Sequence, residues 1–279
     1  MKKIHFYLLT KSIGLYINLL SYVRPKYALQ LSYTLFSTPR KGRLNIKKLP
    51  KTLQNSKIVQ QEFDTHQFYS YIWEGTEDTI LLVHGWESNA SRWKKLINHL
   101  KITGKTIIAI DAPGHGMSNS KEFNVPIYAL YIEHIIQKYN PKTVIGHSIG
   151  GNALAYFQSK FEHNINKMIL IGAPSDFEII LNNYFKMLQL NSKIQTAFKN
   201  KIFEKFNLHA SEFNASQFLK SATIEGIIAH DKLDDVVHFT EALKISNVWK
   251  NGQLMSSEGF GHSMHNEEIY KTITDFIKK

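Results

Sequence analysis

The chain has 279 residues, 43% of them hydrophobic, which is enough for one full-sized core with an appended segment. It contains no cysteine, which excludes disulfide bonds and thiolate metal sites and fits a reducing, cytoplasmic compartment. The formal net charge is +11, but residues 1–61 hold 12 Lys and Arg and no Asp or Glu. The remaining body is therefore close to neutral, and we do not expect it to bind nucleic acid.

The chain begins with a basic, apolar stretch. Residues 4–23 are rich in Ile, Leu, Tyr and Phe, but the uncharged run from Ser12 to Val23 is only 12 residues long. A helix that crosses a bilayer needs about 20 apolar residues, and a longer run would have to include Lys11. No pair of small residues that would mark a signal-peptide cleavage site follows. We therefore expect a helix that does not span a membrane.

A second apolar segment, residues 27–36, predicts another helix and is followed by a basic linker at residues 38–43. Two apolar helices with cationic flanks are typical of an interfacial membrane anchor. The alternative is that both helices pack on the body of the protein while their lysines are solvated. The pattern slightly favours peripheral membrane contact through residues 1–50. We assign residues 1–52 to a separate N-terminal helical segment.

Residues 53–279 predict a second, larger domain in which strands alternate with helices. This alternation predicts an α/β fold with a mostly parallel, eight-stranded sheet flanked by helices, whose ligand crevice lies at the carboxyl ends of the strands. The predicted strands are residues 58–64, 67–74, 79–83, 106–110, 143–145, 167–171, 224–229 and 253–256. The predicted helices are residues 91–100, 128–139, 151–160 and 267–277.

The alternation stops between residues 177 and 221, where 45 residues are apolar, aromatic and helical in pattern. Phe177, Tyr184 and Leu188 recur at helical spacing. Such a stripe packs on the parent domain, forms a lid over the crevice, or does both with two faces. We expect a lid insertion that contacts an apolar part of the substrate.

Ser148 is the candidate nucleophile, because it sits in a G-x-S-x-G turn, residues 146–150, between a predicted strand and a predicted helix. A Ser hydroxyl must be held at an exposed, fixed point and needs a base that takes its proton, and this turn provides the exposure. The backbone N–H of Ile149, at the start of the helix, is one candidate oxyanion donor. The backbone N–H of Trp86, in the loop after the strand at 79–83, is the other.

The base and its acid should follow Ser148 in the chain. His262 lies in a glycine-rich loop after the last strand, and His265, three residues on, is the alternative. The two His could also bind a metal, but no third ligand has suitable spacing, so we expect neither metal nor cofactor. Asp231, Asp234 and Asp235 follow the preceding strand. Spacing alone does not choose among these three carboxylates.

The motifs together resemble the α/β-hydrolase superfamily over residues 56–279. They are His-Gly-Trp at 84–86, Asp-Ala-Pro-Gly-His-Gly-Met-Ser at 111–118, and the turn at 146–151 with Gly-His at 261–262. The family's acid segment, H-G-x-x-D-x-x-V-P, falls on residues 230–238 and selects Asp234. This chain departs from it twice, with Asp231 in place of Gly and His238 in place of Pro. The loop at 111–118 is usually structural in the family.

The resemblance implies a serine esterase or lipase-like hydrolase with catalytic Ser148, Asp234 and His262 and an oxyanion hole at Trp86 and Ile149. We expect it to cleave a small-molecule carboxylic ester, with an apolar acyl group, through an acyl-enzyme intermediate. The same fold also supports amide, thioester and carbon–carbon cleavage. A non-catalytic, membrane-associated binding protein is the remaining alternative, and the intact Ser, His and acid candidates count against it. The oligomeric state cannot be read from the sequence.

Overall fold

The chain forms two compact units in the computed structural model, which describes residues 2–279 and their side chains from Ile4 onward. One unit combines the residues up to Thr38 with Asp176–Asn214, and the other combines Pro39–Ser175 with Ala215–Lys279. The N-terminal unit boundary thus falls at Thr38 rather than at residue 52. The N-terminal helices group with the inserted helices rather than forming a segment of their own.

The larger unit holds all eight strands in one sheet. The strands are β1 (Lys57–Phe63), β2 (His66–Trp73), β3 (Glu77–Val83), β4 (Lys105–Ile110), β5 (Thr143–His147), β6 (Lys167–Ile171), β7 (Glu225–Asp231) and β8 (Gly252–Ser257). Their order is β1-β2-β4-β3-β5-β6-β7-β8. β2 pairs antiparallel with β1 and β4, and the other neighbours are parallel. The predicted mostly parallel, eight-stranded α/β fold is confirmed.

Both units contain helices. They are α1 (Lys2–Val23), α2 (Pro25–Ser37), α3 (Lys51–Gln54), α4 (Lys94–Leu100), α5 (Val125–Tyr139), α6 (Ile149–Lys160), α7 (Phe177–Leu188), α8 (Ser192–Phe206), α9 (Ala215–Leu219), α10 (Thr240–Ser246) and α11 (Glu267–Lys278). The side-chain amide oxygens of Asn residues cap α5, α8 and α11, and Oδ1 of Asn124, for example, accepts from the Ile127 N–H at the start of α5. Only α1, α2, α7 and α8 belong to the smaller unit.

The central strands of the sheet are short apolar segments whose burial stabilises the sheet. All five residues of β5 are buried, as are the last four of β3 and β6, so these short apolar runs are covered on both faces. Their carboxyl ends lie at one edge of the sheet, where β5, β7 and β8 each lead into a loop that carries a predicted site residue.

The smaller unit has a core of its own, built by α1 and α2 together with α7 and α8. Tyr184 and Phe198 lie at its centre with Phe36, whose ring centroid is 5.0 and 5.5 Å from theirs. The aromatic stripe of the insertion therefore packs against the N-terminal helices. Its role as a lid stays a prediction. The buried core consists of Ile17, Ala28, Tyr33, Leu181, Tyr184, Phe185, Leu188, Leu190, Ile194, Phe198, Ile202 and Ala210.

Lys11 is not simply solvated, contrary to one of the two expectations for the N-terminal stretch. Its ammonium group donates hydrogen bonds to the carbonyl oxygens of Lys186 (3.3 Å) and Met187 (3.0 Å), in the last turn of α7. A cation at this position offsets the negative end of the helix dipole and satisfies carbonyls that have no partner within the helix. Throughout residues 2–279, no helix is long and apolar enough to cross a membrane.

Candidate active site

Ser148 occupies a strained corner between β5 and α6, with φ 54° and ψ −129°. Few non-glycine residues adopt such a backbone, and the strain is typical of a functional position. The glycines on either side permit it. A Cβ on Gly146 would lie 2.6 Å from the Cα of Gly151, and a Cβ on Gly150 would overlap the carbonyl oxygen of Val83. The turn thus needs glycine at both positions, because a side chain there would clash with the start of α6 or with the end of β3.

Three predicted side chains form one hydrogen-bonded chain. Nε2 of His262 is 3.0 Å from Oγ of Ser148, and Nδ1 of His262 is 2.8 Å from Oδ2 of Asp234. Because a carboxylate only accepts hydrogen bonds, Nδ1 carries the proton and Nε2 is left as the acceptor for the Ser hydroxyl. The arrangement places an imidazole nitrogen that can accept a proton beside the Ser148 hydroxyl, with a carboxylate on the other side of the imidazole ring.

Asp234 is buried yet held as a carboxylate. Burial raises the pKa of its side chain, but hydrogen bonds from His230, His262 and the backbone N–H groups of Val236 and Val237 outweigh burial and hold the pKa below its usual value. Both backbone N–H groups are 2.9 Å from Oδ1, which leaves Oδ2 to face the two histidines. The carboxylate is thus fixed in orientation and stays charged at neutral pH.

The two other carboxylates of this loop have different surroundings. Asp231 accepts hydrogen bonds from the backbone N–H groups of Gly259 (3.2 Å) and Phe260 (2.9 Å) and from the hydroxyl of Ser257 (2.8 Å). It therefore fastens the loop that leads to His262. Asp235 is exposed. Geometry selects Asp234 as the carboxylate that contacts the histidine.

His265, the alternative base, is engaged elsewhere. Its Nδ1 hydrogen-bonds the hydroxyl of Tyr270 at the start of α11, and its pKa is lowered to about 4 by burial. Within the described residues, no three or more His, Asp or Glu side chains are grouped so that they could hold a metal ion.

Sequence reasoning overlooked two histidines that support the site. His147 precedes Ser148 at the end of β5, and its Nε2–H donates to the backbone carbonyl of His262 at 2.8 Å, with the two ring centroids 4.9 Å apart. Burial holds the pKa of His147 well below its usual value, so the ring is neutral. His230 donates to the Val237 carbonyl at 2.8 Å and lies 3.4 Å from Oδ2 of Asp234. The sequence did contain a signal for His230, because this residue matches the first position of the family's H-G-x-x-D pattern.

One candidate oxyanion donor belongs to the residue directly after Ser148, and the other belongs to a loop that approaches Ser148. The N–H of Ile149 is the first in α6, where the helix dipole favours negative charge. A Cβ on Gly85 would lie 2.9 Å from Cβ of Ser148, so the loop after β3 approaches Ser148 one residue before Trp86. The Trp86 ring packs edge-on against Phe123, with centroids 5.4 Å apart.

The loop at residues 111–118 is a buried scaffold, as the resemblance implied. Asp111 accepts from the N–H groups of Ala90 and Met117, both at 3.0 Å, and from the Tyr71 hydroxyl at 2.8 Å. Nε2 of His115 accepts from the Glu87 N–H at 2.9 Å. The hydrogen bond between Glu87 and His115 anchors the loop that carries Trp86.

The comparisons with known proteins agree with this architecture. A family model described as the alpha/beta hydrolase fold matches residues 78–253. A Drosophila melanogaster protein named "Probable serine hydrolase" is 32% identical over 108 residues, which are 36% of this chain and 32% of that protein. The chain thus spans about a third of the length of the first curated relatives that it matches.

Solved structures show the same fold. An esterase from Exiguobacterium antarcticum superimposes with a TM-score of 0.59 and 20% identity, over 76% of this chain and 96% of that one. The mouse alpha/beta hydrolase domain-containing protein 10 does so with a TM-score of 0.63 and 15% identity, over 80% and 97%. Since the family model also covers more than half of its residues, the chain belongs to the α/β-hydrolase family.

Proposed function

We propose that the protein is a serine hydrolase that cleaves carboxylic esters through an acyl-enzyme intermediate. The observation that carries the proposal is the hydrogen-bonded chain from Ser148 through His262 to Asp234, with 3.0 and 2.8 Å between its atoms, at a strained strand-to-helix corner. A hydroxyl, an imidazole and a carboxylate connected in this order support acyl transfer, which needs a nucleophile, a base and an acid that orients the base.

The first half of the reaction forms the acyl-enzyme. Oγ of Ser148 attacks the ester carbonyl carbon while Nε2 of His262 takes the hydroxyl proton. The imidazolium that results is stabilised by Asp234, whose lowered pKa keeps it charged. The N–H groups of Ile149 and Trp86 bind the oxyanion, and each such donor contributes about 3–4 kcal/mol to lowering the barrier. His262 then returns the proton to the departing alcohol.

The second half releases the acid. Water enters the place of the alcohol, His262 takes one of its protons, and the hydroxide attacks the acyl carbon. Collapse of the second oxyanion intermediate breaks the bond to Oγ, which regains its proton from His262. No step needs a metal or a redox cofactor, because the same three side chains act in both directions.

Apolar side chains on the site loops support an apolar acyl group. Leu233 and Val236 flank Asp234 in the chain, and Phe260 and Trp86 stand on the two other loops of the site, and all four are exposed. Exposed apolar groups that share the loops of a reactive centre favour substrates that cover them.

The test replaces Ser148 with Ala and uses Ser159→Ala as the matched control, since Ser159 is exposed on α6, the helix that begins directly after Ser148. We expect S148A to lower kcat for p-nitrophenyl esters by about 10⁶-fold, as loss of the nucleophile does in other triad enzymes, while S159A retains wild-type turnover. Ester turnover by S148A close to that of the wild type would refute the proposal. A panel of matched esters, thioesters and amides, with acyl chains of increasing length, distinguishes ester hydrolysis from its alternatives.

A further inference from the structure

Helix α1 turns its small and polar residues toward the protein. Thr10, Gly14 and Ser21 are buried on one face, and a Cβ on Gly14 would overlap the backbone carbonyl of Leu188 at the end of α7. The helix therefore approaches α7 at backbone distance. A larger side chain at position 14 would force the two helices apart.

Polar contacts fix the rotation of α1 about its axis. Nδ2 of Asn18 donates to the Gln189 carbonyl at 2.8 Å, and its Oδ1 accepts from the N–H of Asn191 at 2.9 Å. Lys11 donates to the last-turn carbonyls of α7. Polar side chains that would face water in an ordinary amphipathic helix are thus engaged with the α7–α8 turn.

The opposite face of α1 is apolar and open. Leu8, Leu15, Leu19 and Tyr22 recur at helical spacing and are 58, 61, 61 and 72% exposed. We call these four residues, together with Ile4, Tyr16 and Val23, the outward face of α1. Single exposed apolar side chains are common on protein surfaces, whereas a contiguous exposed apolar patch is typical of an interaction site.

The charge around the outward face favours an anionic lipid surface. Arg24 and Lys26 are exposed where α1 meets α2, Lys193 lies 5.1 Å from the ring centroid of Tyr22, and no acidic residue occurs before Glu62. Tyr side chains stand at the headgroup level of membranes, where one end is apolar and the other wet. Because no described helix can span a bilayer, α1 would lie in its surface plane.

We propose that the outward face of α1 docks on an anionic phospholipid bilayer, with Leu15 and Leu19 at the boundary between headgroups and acyl chains. Lys11 and Asn18 hold α1 on α7 from the other side, so the bilayer contacts the unit that carries the insertion. This proposal is independent of the ester chemistry.

The test uses the full-length chain and vesicles of phosphatidylcholine with or without phosphatidylserine. We expect co-sedimentation with the anionic vesicles and little with the neutral ones. Leu15→Glu together with Leu19→Glu should weaken binding at least about 100-fold, because two inserted side chains become anions. Ile102→Glu, a 65% exposed apolar residue of the larger unit, is the matched control and should bind as the wild type does.

Charge is tested by Arg24→Gln with Lys26→Gln, which should lower the affinity about fivefold for each cation removed. Unchanged melting temperatures show that the variants fold. Equal sedimentation of wild type and L15E/L19E overturns the proposal, as does equal binding to neutral and anionic vesicles. A wild-type chain that ignores both vesicles but forms a dimer dispersed by L15E/L19E would instead assign the outward face to a second copy of the chain.

Discussion

Replacing Asp234 by Asn tests the role of its carboxylate, because the substitution changes one carboxylate oxygen into an NH₂ group and leaves the shape of the side chain almost unchanged. In one amide orientation the NH₂ group faces Nδ1–H of His262, and in the other it faces the N–H groups of Val236 and Val237. Each orientation sets donor against donor. The first also favours the imidazole tautomer that carries its proton on Nε2, which cannot take the proton of Ser148. We expect kcat to fall by about 10⁴-fold, which corresponds to about 5 kcal/mol of barrier.

The assay is steady-state hydrolysis of a short p-nitrophenyl ester, with kcat and KM measured separately. KM should change little, because Asp234 is buried behind His262 and does not face the substrate. Asp235→Asn is the matched control, since Asp235 is the exposed neighbour, and should stay within about twofold of the wild type. Retention of more than about a tenth of kcat by D234N, or a comparable loss in D235N, would refute the reasoning.

Three further substitutions test other parts of the site. His147→Phe removes the donor to the His262 carbonyl and should lower kcat about 10-fold at unchanged KM; an unchanged kcat would show that this contact does not position the base. Gly150→Ala puts a methyl group against the Val83 carbonyl and should lower the free energy of unfolding in urea by about 3 kcal/mol, whereas wild-type stability would contradict the close packing of this turn against β3. Burial lowers the pKa of His115 from 6.5 to about 4, so only the unfolded state takes up this proton between those values; this histidine should contribute about 3 kcal/mol to the unfolding free energy lost as pH falls from 6.5 to 4, and His115→Asn should lose less by about that amount, whereas equal losses would contradict the buried, neutral ring.

The fold was largely predictable because its strands are short, apolar and well separated. β3, β4 and β6 each finish with four consecutive buried apolar residues, so the apolar pattern and its length located each of them. The partners of α1 were not predictable. Its contacts with α7 connect residues more than 170 positions apart, and they depend on Gly14, Lys11 and Asn18, which a hydrophobic pattern reads as interruptions.

Part of the candidate site was also accessible from the sequence. The order Ser148, Asp234, His262 and the turn glycines pointed to residues that the structure brings into contact. Choosing Asp234 over Asp231 needed either the family pattern or the structure, because Asp231 ends β7 and Asp234 follows only three residues later. The contact of His147 with the His262 carbonyl joins the last residue of β5 to the loop after β8, 115 residues away in the chain, and no local signal marks it.

Labelling by a fluorophosphonate probe, with the modified peptide located by mass spectrometry, tests the central claim most directly. The probe reacts with a Ser hydroxyl that a neighbouring base activates and an oxyanion hole accommodates. The account predicts one adduct, on Ser148, that disappears in S148A and is strongly reduced in His262→Ala. Labelling that survives in S148A, or an adduct on a different serine of the wild-type chain, would contradict it.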